Sequence, residues 1–177
     1  TLRQPPAPGS DRIAPASAII SSSHGATGTG SVAIAYQAKS PNTYSVNIGA
    51  QGHAPGSTSL PLGYMARSTS SGVAISTGGY STSSGTSSVV IGYDVDASGT
   101  NAFSLGREIT NSMEHSHVSG WRVKNDITKG KRVYGYGRFA DSGDAQTGTF
   151  VLRSDTTDAT AEALTTDHST AGTNDQL

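Results

Sequence analysis

The sequence predicts an all-β protein, a solenoid of short coils in which parallel strands stack, and three observations carry that expectation. Apolar residues recur with a period close to 14 through the middle of the chain, which is long enough for two short strands and two turns, one coil of a solenoid. Within each repeat the apolar spacings are even, and even spacing keeps side chains on one face of an extended strand, whereas a helix would need i, i+3, i+4 and i+7. The 177 residues include 27 Ser, 21 Thr and 22 Gly, and only 33% are hydrophobic, against about 45–50% in an ordinary globular domain. Such a chain is short of material for a conventional core. Its net charge of -1 and its regularly placed Val and Ile also set it apart from disordered sequences.

The elements follow in chain order. Residues 1–30, with Pro5, Pro6, Pro8 and Pro15, read as an extended arm or linker. The chain opens on Thr1 rather than Met, which points to a segment of something longer. Residues 31–138 hold the repeats. Aligned on the last apolar residue of each short strand, the anchors are Ile34, Ile48, Leu62, Ile75, Ile91 and Leu105, spaced 14, 14, 13, 16 and 14 apart. Two residues before them stand Val32, Val46, Leu60, Val73, Val89 and Phe103. Four residues after them come Ala38, Gly52, Ala66, Gly79, Val95 and Ile109, which alternation places on the same, inward face. Gly follows most anchors, as in Ile48-Gly49, Leu62-Gly63, Ile91-Gly92 and Leu105-Gly106, where it lets the chain turn sharply. Ser-rich stretches such as 81–85 are expected at turns and outer faces. Residues 139–177 read as a C-terminal β segment, with strands expected at 149–153 and 162–165, that the chain is too short to complete.

Each coil supplies two or three small apolar groups, too few to bury alone. Self-association around an axis, most simply of three copies, would enclose the apolar rows together. The expected trimer core is therefore Val32, Ile34, Val46, Ile48, Leu60, Leu62, Val73, Ile75, Val89, Ile91, Phe103 and Leu105.

Ser31-Val32-Ala33-Ile34, Ser45-Val46-Asn47-Ile48-Gly49, Ser88-Val89-Val90-Ile91-Gly92 and Asn101-Ala102-Phe103-Ser104-Leu105-Gly106 resemble the head repeats of YadA-like trimeric adhesins. Ser116-His117-Val118-Ser119-Gly120 is similar to a variant common in bacteriophage tail fibres and tailspikes. The resemblance covers about residues 31–138. It implies a left-handed parallel β-roll assembled as a homotrimer. Residues 143–153 and 156–160 resemble a segment that follows such repeats in phage fibres, and no heptad pattern of a bacterial adhesin stalk is present. The expected function is therefore structural and adhesive: part of a phage tail fibre or tailspike, extracellular on the virion. Its expected partners are its own copies, other tail proteins and a polysaccharide or protein receptor on the host surface. A bacterial trimeric autotransporter adhesin head and a capsid decoration or cement protein are the alternatives, and a polysaccharide-degrading spike ranks below them.

His115-Ser116-His117 is the sharpest local feature. In the repeat frame His117 takes the place of Phe103 and Val89, and His115, two residues earlier, falls on the same face. Three chains would bring two imidazoles each to an axis, a set suited to an octahedral transition metal such as iron, and H-x-H clusters on a threefold axis occur in the phage fibres that the repeat resembles. The bland alternative is a pair of hydrogen-bonded turn residues. Beyond the pair come Trp121, Val123, Ile127, Val133, Tyr134 and Tyr136. Trp121, Tyr134 and Tyr136 are candidate glycan contacts, because aromatic faces stack on the apolar faces of sugar rings, though composition favours Trp121 and Tyr136 as filling a wider part of the trimer core. Residues 107–138 are also rich in bases, and Lys129-Gly130-Lys131-Arg132 could meet an anionic polysaccharide or be a solvated loop.

Other chemistry has little footing. Asp94 and Asp96 are two carboxylates without a partner pattern, and Ser is so abundant here that a Ser–His–Asp combination arises by chance. The chain lacks Cys, a phosphate loop and an H-E-x-x-H motif, so no enzyme is expected. A near-neutral chain without a stacking ladder is not expected to bind nucleic acid. No apolar run approaches the roughly 18 residues that cross a bilayer.

Overall fold

The structure is a computed structural model that describes residues 25–70 and 75–151. Among these residues every regular element is a β-strand: β1 (Gly25–Ala26), β2 (Val32–Ile34), β3 (Lys39–Ser40), β4 (Val46–Ile48), β5 (Leu60–Leu62), β6 (Arg67–Ser68), β7 (Ile75–Thr77), β8 (Thr82–Ser83), β9 (Val89–Ala97), β10 (Phe103–Asn111), β11 (His117–Trp121), β12 (Lys124–Asn125), β13 (Arg132–Tyr136) and β14 (Gln146–Thr149). Strands of successive coils pair in parallel, giving a β-solenoid of about 8 turns. Pairing already starts at β1, which lies beside β3, ahead of the boundary at residue 31 that the repeats suggest.

The register corrects one coil of the sequence alignment. Leu60 pairs with Ile75 and Leu62 with Thr77, and then Ile75 pairs with Val89 and Thr77 with Ile91. The fourth anchor is therefore Thr77, not Ile75, and Val73, which the repeat placed two residues before Ile75, lies outside the described residues. Gly78 follows Thr77 as Gly follows most of the other anchors, and Ser81 rather than Gly79 occupies the position four further on. The 13 and 16 spacings become near-regular once a polar residue is allowed at the anchor.

Which face points inward is also corrected. The coil interior is lined by the residues between the aliphatic pairs, Ala33, Asn47, Pro61, Ser76, Val90, Ser104, Val118 and Val133, all buried. Val32, Ile34 and their equivalents point away from it, and Ile48 and Ile91 keep 43% and 40% of their surface exposed. Ala38, Ala66, Val95, Ile109 and Val123 are nevertheless inside. The reversal comes from the corner after each anchor, where two left-handed residues flank one other, as in Gly49 (φ 150°) with Gln51 (58°) and Gly92 (145°) with Asp94 (55°). Period-two alternation holds only while φ stays in the β region, so it fails across this corner. Glycine is required there for a second reason: a Cβ on Gly49, Gly63, Gly78, Gly92, Gly106 or Gly120 would run into the backbone carbonyl of the equivalent residue one coil on.

Serine also sits where composition did not place it. Ser31, Ser45, Ser59, Ser88 and Ser116 are buried at the start of five of the coils. Each hydroxyl donates to the carbonyl three residues back, on Gly28, Asn42, Gly56, Gly85 and Met113, at 2.6–2.7 Å. The side chain thus satisfies a buried turn carbonyl while being small enough for a narrow interior. The first coils are filled by Ala26, Ala33 and Ala38. Later coils hold a larger cluster of Val90, Val95, Ile109, Val118, Val123 and Val133, each contributing about 1.5–3 kcal/mol on burial. The solenoid is therefore best cemented towards its C-terminal end.

That end is closed by β14, which runs antiparallel to β13. It lies at Gln146–Thr149, earlier than the strand expected at 149–153, and the strand expected at 162–165 lies outside the described residues. The intervening loop is gathered by Asp144, whose carboxylate accepts from the backbone N–H groups of Phe139, Ala140 and Asp141 at 2.9, 2.6 and 2.9 Å.

Candidate functional site: an outward apolar face ending in a histidine and aromatic layer

The parallel register stacks like positions into straight columns. One column runs Val32, Val46, Leu60, Ile75, Val89, Phe103, His117 and Arg132, and its neighbour runs Ile34, Ile48, Leu62, Thr77, Ile91, Leu105, Ser119 and Tyr134. The two columns form a flat stripe on the outside of one chain. Eleven of its first twelve members are apolar, Thr77 being the exception, and the stripe turns polar and aromatic from His117 onward. Eleven of the twelve residues expected in the trimer core therefore lie on one surface, and Val73 lies outside the described residues.

His117 continues the stripe. Its ring lies edge-on to Phe103, with centroids 4.9 Å apart, and burial, with the Arg132 charge beside it, holds its pKa below the ordinary imidazole value. That favours the neutral ring, the form that ligates metals. His115 is placed differently from expectation. It is exposed, in a turn with φ 53°, so strand alternation does not carry from His117 back to it. Its Nδ1 lies 3.4 Å from Asn101 Nδ2, in the equivalent turn of the preceding coil. Among the described residues of one chain no three His, Cys, Asp or Glu side chains converge as a metal site.

The aromatic layer is real as an assembly of contacts. Trp121 and Tyr136 are register partners and pack edge-to-face at 5.6 Å, with the Arg122 guanidinium 4.7 Å over the Trp121 ring. Tyr134 and Tyr136 are exposed, Val123 and Val133 are wholly buried, and Ile127 is exposed. Arg122 also binds Glu108 at 2.6 Å, and Arg107 meets the same carboxylate at 3.1 Å. The Arg122 hydrogen bond is the main reason that the Glu108 carboxyl titrates below its usual range, against a smaller opposing effect of burial.

Two features escaped the sequence reading. A second set of aromatics, Tyr64, Tyr80 and Tyr93, stacks edge-to-face along the corner at 5.4 and 5.5 Å, and Arg107 lies 5.7 Å over Tyr93. Tyrosines recurring at about the repeat length were the available signal. The other is a basic column on the opposite strand of the coil, Lys39, His53 and Arg67, which bridge successively in parallel register. In the basic run nearer the C-terminus, by contrast, Lys129 is tied to Glu114 at 3.2 Å and Lys124 to Asp126 at 2.6 Å. Asp94 and Asp96 lie close enough for Asp94 to add to the effect of burial in raising the Asp96 carboxyl pKa. Compared with known proteins, the chain matches no family model, no curated protein and no solved structure.

Proposed function

We propose that this chain is a structural and adhesive segment of a bacteriophage tail fibre or tailspike, a left-handed β-roll that works as a homotrimer. The supporting observation is the outward apolar stripe. A coil rises about 4.8 Å, so six apolar coils make a stripe about 29 Å long and, at two alternate residues per strand, about 7 Å wide. That is roughly 200 Å², well short of the roughly 800 Å² per partner of a standard two-body interface. A stripe this narrow suits an axis at which three wedge-shaped chains converge, each covering the stripes of the other two. The parallel coils then form a stiff rod that holds loops away from the particle, and threefold repetition multiplies weak contacts to a host polysaccharide or protein receptor.

The segment attaches to other tail proteins and acts outside the cell. Trp121, Tyr134 and Tyr136 are its aromatic glycan contacts. His117, the member of the pair that lies on the stripe, would hold a transition metal such as iron at the axis, with one imidazole from each of three chains. Such a metal, when bound, supplies a crosslink between the chains and no chemistry on a substrate. Sedimentation velocity tests the assembly: the expected mass is three times the 18.0 kDa chain, and a monomer at micromolar concentration contradicts it. Antibody labelling of virions tests the location, with label on the tail expected and label on the capsid lattice favouring a decoration protein instead.

A further inference from the structure

We infer that Lys39, His53 and Arg67 form a binding site for the acidic groups, carboxylate or sulfate, of an extended anionic polysaccharide lying along the coil axis. The three residues occupy one column on consecutive coils, because Lys39 bridges to His53 and His53 to Arg67. Adjacent strands lie about 4.8 Å apart, so three positive or protonatable groups fall within about 10 Å along a straight line. Like charges opposite one another on neighbouring strands are destabilising. Here nothing relieves them: among the described residues no carboxylate lies within ion-pair distance of any of the three. Along the column the next coil offers Thr82, and the first acid, Asp96, comes only after it.

The column borders a hollow of about 340 Å³ lined by Gln37, Lys39, Gln51, Gly52, His53 and Met65. Its chemistry suits an acidic sugar. Gln51 Nε2 donates to Gln37 Oε1 at 3.2 Å, which leaves amide donors and acceptors along one edge for hydroxyls. Met65 offers a soft apolar surface for a ring face. A cationic line beside a polar edge and a small apolar floor differs from the Lys129 to Arg132 run, where Lys129 is tied to Glu114.

His53 makes the site sensitive to pH. Its surroundings hold the imidazolium down, through burial first and then the Arg67 and Lys39 charges, and those two are the charged groups that face it from the neighbouring coils. A bound oxyanion offsets their repulsion and favours the protonated ring. Binding therefore takes up a proton, and affinity rises as pH falls through the interval between the bound-state and free-state pKa values. The ligand class rests on the host-attachment reading, whereas the site belongs to one chain and does not depend on trimer formation.

The test uses the whole protein at low ionic strength, with sulfated dextran as probe, neutral dextran of equal length as control and inorganic sulfate as a third arm. The His53 ring, followed by NMR, should titrate about one unit higher with sulfated dextran, which corresponds to about tenfold tighter binding at the acidic end. Neutral dextran should not move it, and inorganic sulfate should bind at least tenfold more weakly per sulfate. Lys39→Gln with Arg67→Gln should weaken binding tenfold or more at unchanged melting temperature, while Lys129→Gln leaves it unaltered. His53→Gln should keep binding but lose its pH dependence. An unmoved His53 titration, equal binding by the Lys39 and Arg67 double variant, or equal affinity for free sulfate overturns the inference. A monomer in sedimentation with these binding results intact would instead count against the trimeric reading alone.

Discussion

Ile91→Asp separates folding of one chain from assembly of three. Ile91 is 40% exposed in the single chain, and complete burial of an Ile side chain is worth about 1.5–3 kcal/mol. About 1 kcal/mol per chain is therefore still to be gained at this layer on assembly, or roughly 3 kcal/mol for three chains. Aspartate at the same place would bring three carboxylates to the axis, each with a desolvation cost of several kcal/mol and no cation to pair with. The layer then loses on the order of 10 kcal/mol, more than its neighbouring layers return. Within one chain the change falls on a partly exposed strand position, where substitutions cost about 1 kcal/mol or less. The variant should sediment at the 18.0 kDa of one chain with its β circular dichroism retained, and Ile48→Asp should behave alike. Thr110→Asp, exposed on the opposite strand of the coil, should leave the trimer intact. An Ile91→Asp protein that still sediments as a trimer would refute the placement of the stripe at an axis.

Gly92→Ala should destabilise the fold by about 3 kcal/mol or more in chemical denaturation, because a Cβ there meets the Gly106 carbonyl and φ is 145°, a conformation strained for alanine; an unchanged midpoint contradicts the glycine ladder. Ser88→Ala should cost about 1–2 kcal/mol, since it removes the hydroxyl bond to the Gly85 carbonyl and the one shared with the buried Ser83 hydroxyl, both at 2.7 Å, but leaves the coil geometry that Ala102 already tolerates. Burial opposes ionisation of Asp144, but the backbone bonds from Phe139, Ala140 and Asp141 outweigh it and hold the carboxyl below its usual range. A depressed folded pKa stabilises the loop above the unfolded value and that stability fades as pH falls through the folded one, so amide protection at residues 139–141 should drop in acid and be weak at all pH values in Asp144→Asn. Purified trimer should carry about one transition metal per three chains by elemental analysis, and its absence refutes the shared histidine site.

The period, the parallel strands and the identity of the aliphatic columns were legible in the sequence because stacking repeats local chemistry every coil, and Val and Ile at alternate positions leave a plain trace. Thr77 was missed as an anchor because a polar residue breaks that trace, although Gly78 behind it kept the frame. The direction of the columns was not legible. It depends on the sign of φ at Gly92 and Asp94 and their equivalents, and a pattern of apolar letters does not distinguish a corner that preserves alternation from one that reverses it. The inner place of serine is likewise decided in three dimensions, where its hydroxyl bonds to a buried carbonyl three residues back. The low hydrophobic content belongs to the narrow interior, which Ser, Ala and Gly fill, while the aliphatic residues line the outside of each chain. Lys39, His53 and Arg67 are separate in the sequence by a full repeat each, and only the register between coils, a matter of backbone hydrogen bonds formed in three dimensions, makes them neighbours.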